Sequence, residues 1–227
     1  LLAKIDTGVG SAAAPNGLAS PQATDWPTFN LSAKTIYAGD LLGNMWRFDV
    51  TSSSPGGWSS VTKLFEAKDP GGAAQPITGR PGIAVNPTNT DQLMILFGTG
   101  SFFRLQDGNS TQIQTLYGIA DEGSGSLVTG PLTMQEITGQ TSQDVGATTY
   151  TLREVSSYDM APGAKGWYLN LDIEPGERVI SAPNFPAGIS QERVRFSTLI
   201  PDDDPCSNGR RGFIMDLMIA SGGSKGE

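Results

Sequence analysis

Few stretches of this chain keep apolar residues at a helical 3.6-residue spacing long enough to nucleate a helix, and that property restricts the fold more than any other. The apolar runs are short and are separated by clusters of Gly, Pro, Asn, Asp and Ser, the residues whose φ preferences and local hydrogen bonding suit turns. Twenty-nine glycines and 15 prolines among 227 residues supply this punctuation. Four Trp, nine Phe and five Tyr nevertheless need burial, so the excess of turn residues implies an all-β domain rather than disorder.

The clearest element runs from Thr35 to Val50. Ile36 and Tyr37 belong to one strand, Met45, Trp46, Phe48 and Val50 to a second, and Gly43-Asn44 is expected at the tight turn between them. A linker is expected at 52–57 and a strand at Val61 to Phe65, followed by turn material at 69–72. Further strands are expected at Ile83 to Val85, Leu93 to Phe97, Gln114 to Asp121, Gly166 to Leu171, Arg178 to Ile180, Arg193 to Ile200 and Gly212 to Ile219. Leu93 to Phe97 is apolar at every position, the pattern of a strand buried on both faces. The polar stretch Glu122 to Thr149 reads as a long connection with one or two edge strands, and residues 201–209 read as a loop.

Aromatic strand ends near Asp49, Asp121, Asp172 and Asp216 recur roughly every 40 to 70 residues, with about four short strands in each interval. Four-stranded units at that period are the pattern of β-propeller blades, and the expected blocks are 1–50, 51–121, 122–175 and 176–227. A sandwich of seven to nine strands is the rival fold, but it does not predict the repeated strand, Gly, strand, Asp endings.

The residue inventory excludes much chemistry. With no His there is no imidazole base and no His-ligated zinc, and one Cys forbids an internal disulfide or a Cys-x-x-Cys pair. A net charge of -8 repels phosphate backbones and anionic headgroups, so nucleic acid is not an expected partner. No apolar run approaches the roughly 18 residues of a membrane-spanning helix. The chain opens at Leu1-Leu2 and stops at Gly226-Glu227 without a closing element, and both ends read as cuts.

Several segments in order resemble one family: Pro15-Asn16-Gly17-Leu18-Ala19-Ser20-Pro21, Tyr37-Ala38-Gly39-Asp40 with Gly43 to Asp49, Gln75 to Pro81, Leu96 to Gly100, Gln114 to Ile119, and Arg195 to Pro201 with Asp204-Pro205-Cys206. They are similar to the C-terminal domain of the PilY-type proteins, large type IV pilus biogenesis factors and tip-associated adhesins. The resemblance implies a modified β-propeller of which this chain supplies roughly half. It also implies an exported, non-enzymatic module at the bacterial surface or pilus tip. Its implied roles are piliation, twitching motility and adhesion, and its implied partners are minor pilins and host or abiotic surfaces.

The family usually carries a calcium loop of the D-x-D-x-D-G-x-x-D kind between the Ser-Pro and Tyr-Ala-Gly-Asp segments. Calcium takes six to eight oxygen ligands, and here residues 24–34 keep only Asp25 as a carboxylate, lack the glycine and contain Pro27, Phe29 and Lys34. The expectation is a metal-free loop, and no catalytic, cofactor-binding or metal residue is assigned anywhere. A runner-up resemblance is to the blade repeat of pyrroloquinoline quinone dehydrogenases, carried by Tyr37 to Asp40 and Gly43 to Asp49. Only one blade shows that repeat well, and no adjacent-cysteine pair is present.

The remaining features each have two readings. Asp40, Asp49, Asp121 and Asp216 are functional carboxylates or acceptors for turn backbone, and the second role is the usual one for Asp beside turns. Trp46 to Phe48 packs between blades or binds sugar. Asp202-Asp203-Asp204 is solvated or recruits a cation or basic surface, and Cys206 is a free thiol or half of a disulfide with a partner elsewhere. Gly98-Thr99-Gly100-Ser101 is a turn or a phosphate cradle, and no Gly-Lys-Ser/Thr follows it to favour the cradle. Asn30-Leu31-Ser32 and Asn109-Ser110-Thr111 match the glycosylation pattern, which means little in a bacterial chain.

Overall fold

The computed structural model describes residues 3–58, 60–186, 192–201 and 211–224. Four antiparallel strands form the first sheet as a meander: β1 (Gln22–Thr24), β2 (Thr35–Gly39), β3 (Asn44–Asp49) and β4 (Val61–Glu66). The expected hairpin is β2–β3, but Asn44 is the first residue of β3 rather than part of the turn. The chain reverses over 40–43, with Gly43 at a φ of 82°. The 52–57 linker holds a single 3₁₀ turn at Pro55–Gly57.

A second sheet starts with the antiparallel strands β5 (Gly82–Val85), β6 (Leu93–Gly98) and β7 (Gln114–Asp121). The chain then makes β8 (Thr133–Gln135), the long pair β9 (Ile137–Val145) and β10 (Thr148–Val155), and β11 (Gly166–Leu171). β11 pairs antiparallel with β7, and β8 pairs parallel with β11, giving the sheet order β5-β6-β7-β11-β8. The pair β9–β10 stands apart as a two-stranded ribbon, reversing at Gly146-Ala147 with Gly146 at a φ of 63°. Finally β12 (Arg193–Ser197) pairs antiparallel with β13 (Ile214–Met218).

The stretch 122–149 holds β8, β9 and the start of β10, so it carries the two expected strands and the beginning of a third; β9 pairs with β10 through polar residues that alternation of apolar residues cannot reveal. Residues 178–180 are not a strand: Arg178 exchanges both backbone bonds with Leu199 in an isolated bridge, and the next amide, that of Val179, turns to the Thr99 carbonyl instead. Strand pairing also crosses the expected limit at 50/51, because β4 belongs to the sheet of β1–β3.

Packing follows from alternation along the strands, where successive side chains face opposite ways. Leu93, Ile95 and Phe97 of β6 join Tyr37, Met45 and Leu64 of the first sheet in one core. Met94 and Leu96 join Val194, Phe196, Met215 and Leu217 of β12–β13 in another. The second sheet is therefore a middle layer, and all six residues of β6 are buried, as the continuous apolar run implies. Each such side chain contributes about 1.5–3 kcal/mol on burial. Trp167 packs directly over Gly118, where a Cβ would lie 2.4 Å from the indole. That indole donates from Nε1 to the carbonyl of Ile219 at 2.8 Å, tying β11 to the chain after β13.

Candidate functional site

Asp40 is fully buried and accepts five hydrogen bonds. Its Oδ1 takes the backbone N–H groups of Leu42 and Asn44, both at 2.9 Å, so it does close the turn as expected. Its Oδ2 additionally takes the Asn16 and Asn44 amides at 2.8 Å and Trp46 Nε1 at 2.7 Å. Asp49 accepts from the backbone and hydroxyl of Thr51, which hold its carboxyl below the usual range. Asp121 accepts from the Gly123 N–H and, across the sheets, from the Tyr37 phenol at 2.5 Å. Arg47 Nε lies 3.1 Å from the same carboxylate, an ion pair without hydrogen-bond alignment. Burial, and then the Asp121 charge, push the Tyr37 phenol well above its ordinary value.

Asp216 departs from the turn-acceptor reading. It lies within β13 and pairs with Arg193 Nε at 2.6 Å and Arg195 Nη2 at 2.7 Å on the facing strand. Cross-strand partners, invisible to a local reading, make it a clamp between β12 and β13.

Trp46 and Phe48 are 5% and 6% exposed and pack with Ala38, Ile5, Ile36 and Val61 on the outer face of the first sheet. That geometry suits packing rather than an open sugar platform. A groove of about 840 Å³ runs beside them, lined by Ile5, Ile36, Phe48, Val50 and Trp58. The Gly98-Thr99-Gly100-Ser101 segment has its amides occupied: Thr99 N–H donates to the Thr115 carbonyl and Gly100 N–H to that of Pro76, leaving no cradle for phosphate. Gly100 adopts a φ of 136° and lies directly against Arg178, where a Cβ would be 2.5 Å from that of the arginine.

Two buried arginines escaped the sequence reading. Arg153 makes a bidentate pair with Glu177, both bonds at 2.7 Å with the side chains 2% and 0% exposed, and stacks 3.5 Å over the Phe213 ring. Arg178, 3% exposed, donates to four carbonyls among the described residues: Gly176, Ser101, Asp107 and Ser110. Burial pulls its pKa down, opposed by the Asp107 charge. No local sequence signal marks these roles, because apart from Gly176 the partners lie 24 or more residues away along the chain.

In the 24–34 loop, Asp25 Oδ2 accepts the Leu31 N–H at 2.7 Å, and the Asp25 carbonyl accepts from Thr28 and Phe29. Asn30 Oδ1 accepts from the Thr28 hydroxyl and the Ser32 N–H. The oxygens that would face a cation are thus closing the loop, and with one carboxylate they do not fit calcium. Among the described residues no three His, Cys, Asp or Glu side chains cluster as metal ligands. Asp202-Asp203-Asp204 and Cys206 lie outside the described residues.

A family model described as the PilY1 beta-propeller domain matches residues 1–152. The chain is 32% identical to the type IV pilus biogenesis factor PilY1 of Pseudomonas aeruginosa, over 94% of this chain and 21% of that protein. It is 34% identical to a PilY1 homolog of Xylella fastidiosa, over 83% of this chain and 13% of that protein. Among solved structures, the PilY1 C-terminal domain of Pseudomonas aeruginosa superposes with a TM-score of 0.78 at 27% identity, covering 96% of this chain and 50% of that one. The chain thus spans about a fifth or less of the length of these curated relatives.

Proposed function

The chain belongs to the PilY1 β-propeller family, and from that premise we propose that it serves type IV pilus biogenesis as a binding scaffold rather than as an enzyme. The single observation that carries this reading is the family match together with a superposition over nearly the whole chain. The family fold is a propeller; the β1–β4 meander has the form of one blade, and the middle sheet supplies a second with β8 added. Stacked sheets give a rigid body, and the exposed β9–β10 ribbon and the loops at the sheet ends offer contact surface. Pilus components are the proposed partners, with host or abiotic surfaces as further ones, and the proposed location is the cell surface or pilus tip.

The proposal includes a 24–34 loop that works without metal, since hydrogen bonds from Leu31, Thr28 and Ser32 occupy its oxygens. Titration calorimetry with calcium is expected to give no tight binding; tight binding abolished by Asp25→Ala would overturn that part. The functional reading is tested by deleting the gene and restoring it with the full-length allele. Loss and recovery of surface pili, twitching and adhesion are expected, whereas unchanged piliation, twitching and adhesion would count against it. Reconstitution with pyrroloquinoline quinone is expected to yield no alcohol-dependent dye reduction.

A further inference from the structure

The first sheet covers β6 and β7 of the second, and the core between them contains no buried residue of β8 or β11. On that face Tyr117 of β7, Tyr168 of β11 and Met134 of β8 stand in one row, because Tyr168 is the register partner of the other two. Phe65 of β4 packs against Tyr117 with ring centroids 5.2 Å apart, and on the β11–β8 side a cleft of about 530 Å³ opens between the layers. Small-ligand clefts span roughly 300–1,000 Å³. This one is a wedge between two sheets already in contact, not an outer face left for a further layer.

The cleft joins aromatic carbon to a mixed polar rim. Asn170 Oδ1 accepts from the Thr115 hydroxyl at 3.0 Å, which fixes the amide; its Nδ2 and the Tyr168 phenol have no partner among the described residues. Asp69 is held by the Ala73 N–H and the Gln112 amide, both at 2.9 Å, and its two oxygens keep lone pairs to spare. Glu66 is paired with Lys68 at 3.1 Å. An anion would meet the carboxylates of Glu66 and Asp69 with only a paired lysine to offset them. A cation finds no cage, since the centroids of Phe65 and Tyr168 lie 5.2 and 6.5 Å from that of Tyr117, too close to enclose it. A purely apolar ligand would strip water from Asn170 and Asp69 and leave them unpaired. A neutral sugar ring meets both demands: its C–H face suits the negative face of an aromatic ring, and each hydroxyl donates and accepts.

We propose that the wedge between β4 and the β11–β8 side of the second sheet is a carbohydrate-binding site, which takes a neutral pyranose against Tyr168 with its hydroxyls on Asn170 and Asp69. A neutral ligand is also indifferent to the net charge of -8. The site stands on this geometry and does not rest on the pilus function.

The test is binding of the purified full-length protein to an array of immobilised neutral, sialylated and sulfated oligosaccharides. Neutral oligosaccharides are expected to bind in preference to the acidic ones. Tyr168→Ala removes the ring, and Met134→Arg places bulk and charge over the cleft from a position 40% exposed. Each is expected to lower neutral binding by about tenfold or more, and Tyr168→Phe to retain most of it. A readout on the unaltered protein guards against misfolded variants: Lys68, exposed at the rim, is expected to be acetylated severalfold more slowly when the best-bound oligosaccharide is present at saturation, and Lys4 at an unchanged rate. No neutral binding, a preference for acidic sugars, neutral binding that survives either substitution, or an unprotected Lys68 would overturn the site. None of these outcomes bears on piliation, so the pilus function would stand.

Discussion

At the residue scale, Asp40 shows how one carboxylate organises a hairpin. Asp40→Ala would leave the Asn16, Asn44 and Trp46 donors without their shared acceptor, three side chains at once. A loss of about 3 kcal/mol or more is expected by urea denaturation, given the roughly 1.5–3 kcal/mol of a single bond to a charged group. Asp216 adds a pH dependence. Burial would raise its carboxyl, but hydrogen bonds from Arg195 and Arg193 outweigh that and hold it below the ordinary value. A carboxyl lower in the folded state than in the unfolded one stabilises fully above its unfolded value, and that contribution fades as pH falls through the folded one. Melting curves are expected to show a gap between wild type and Asp216→Asn that is widest near neutrality and closes below about pH 4. A gap independent of pH would reject the clamp. The turn role of Asp40 was legible in the sequence because it is local; the clamp role of Asp216 was not, because its partners lie 21 and 23 residues away.

At the element scale, strands were legible wherever burial imposed a pattern. β6 and β7 stand out by continuous or alternating apolar residues, since each is enclosed by a neighbouring layer. The ribbon β9–β10 escaped because most of its residues are exposed, so no face of it had to be apolar. Its base is anchored by the enclosed Arg153–Glu177 pair. Arg153→Ala would leave Glu177 buried without its cation, with an expected cost of about 3–5 kcal/mol. A melting temperature within error of wild type would refute this. Gly118→Ala tests the approach of β7 and β11: the added methyl collides with Trp167, and overpacking of this kind costs about 1–3 kcal/mol. Near-ultraviolet circular dichroism of the Trp167 environment is the direct readout, and an unchanged spectrum would show that the methyl is accommodated without displacing the indole.

At the scale of the whole molecule, the middle sheet couples the outer ones, because β6 faces one core with its odd-numbered residues and the other with its even ones. Amides of Leu93 to Phe97 are expected to exchange hydrogen only through global unfolding, while those near Gly146 exchange freely. Exchange of β6 at a lower free energy than unfolding would separate the layers into independent units. The recurrence of aromatic strands with a nearby aspartate pointed to a propeller, although Asp216 lies within β13 rather than at its end, and the strand order of the middle sheet was not legible, since β8 joins β11 rather than its sequence neighbour β9. That order sets a loop to be closed. β8 and β11 meet only when the intervening chain, about 30 residues, is looped out, and each doubling of such a loop adds about 0.6 kcal/mol of closure entropy. Pairing of β9 with β10 shortens the free part of that connection, so opening the ribbon lengthens the tether that the β8–β11 pair must close.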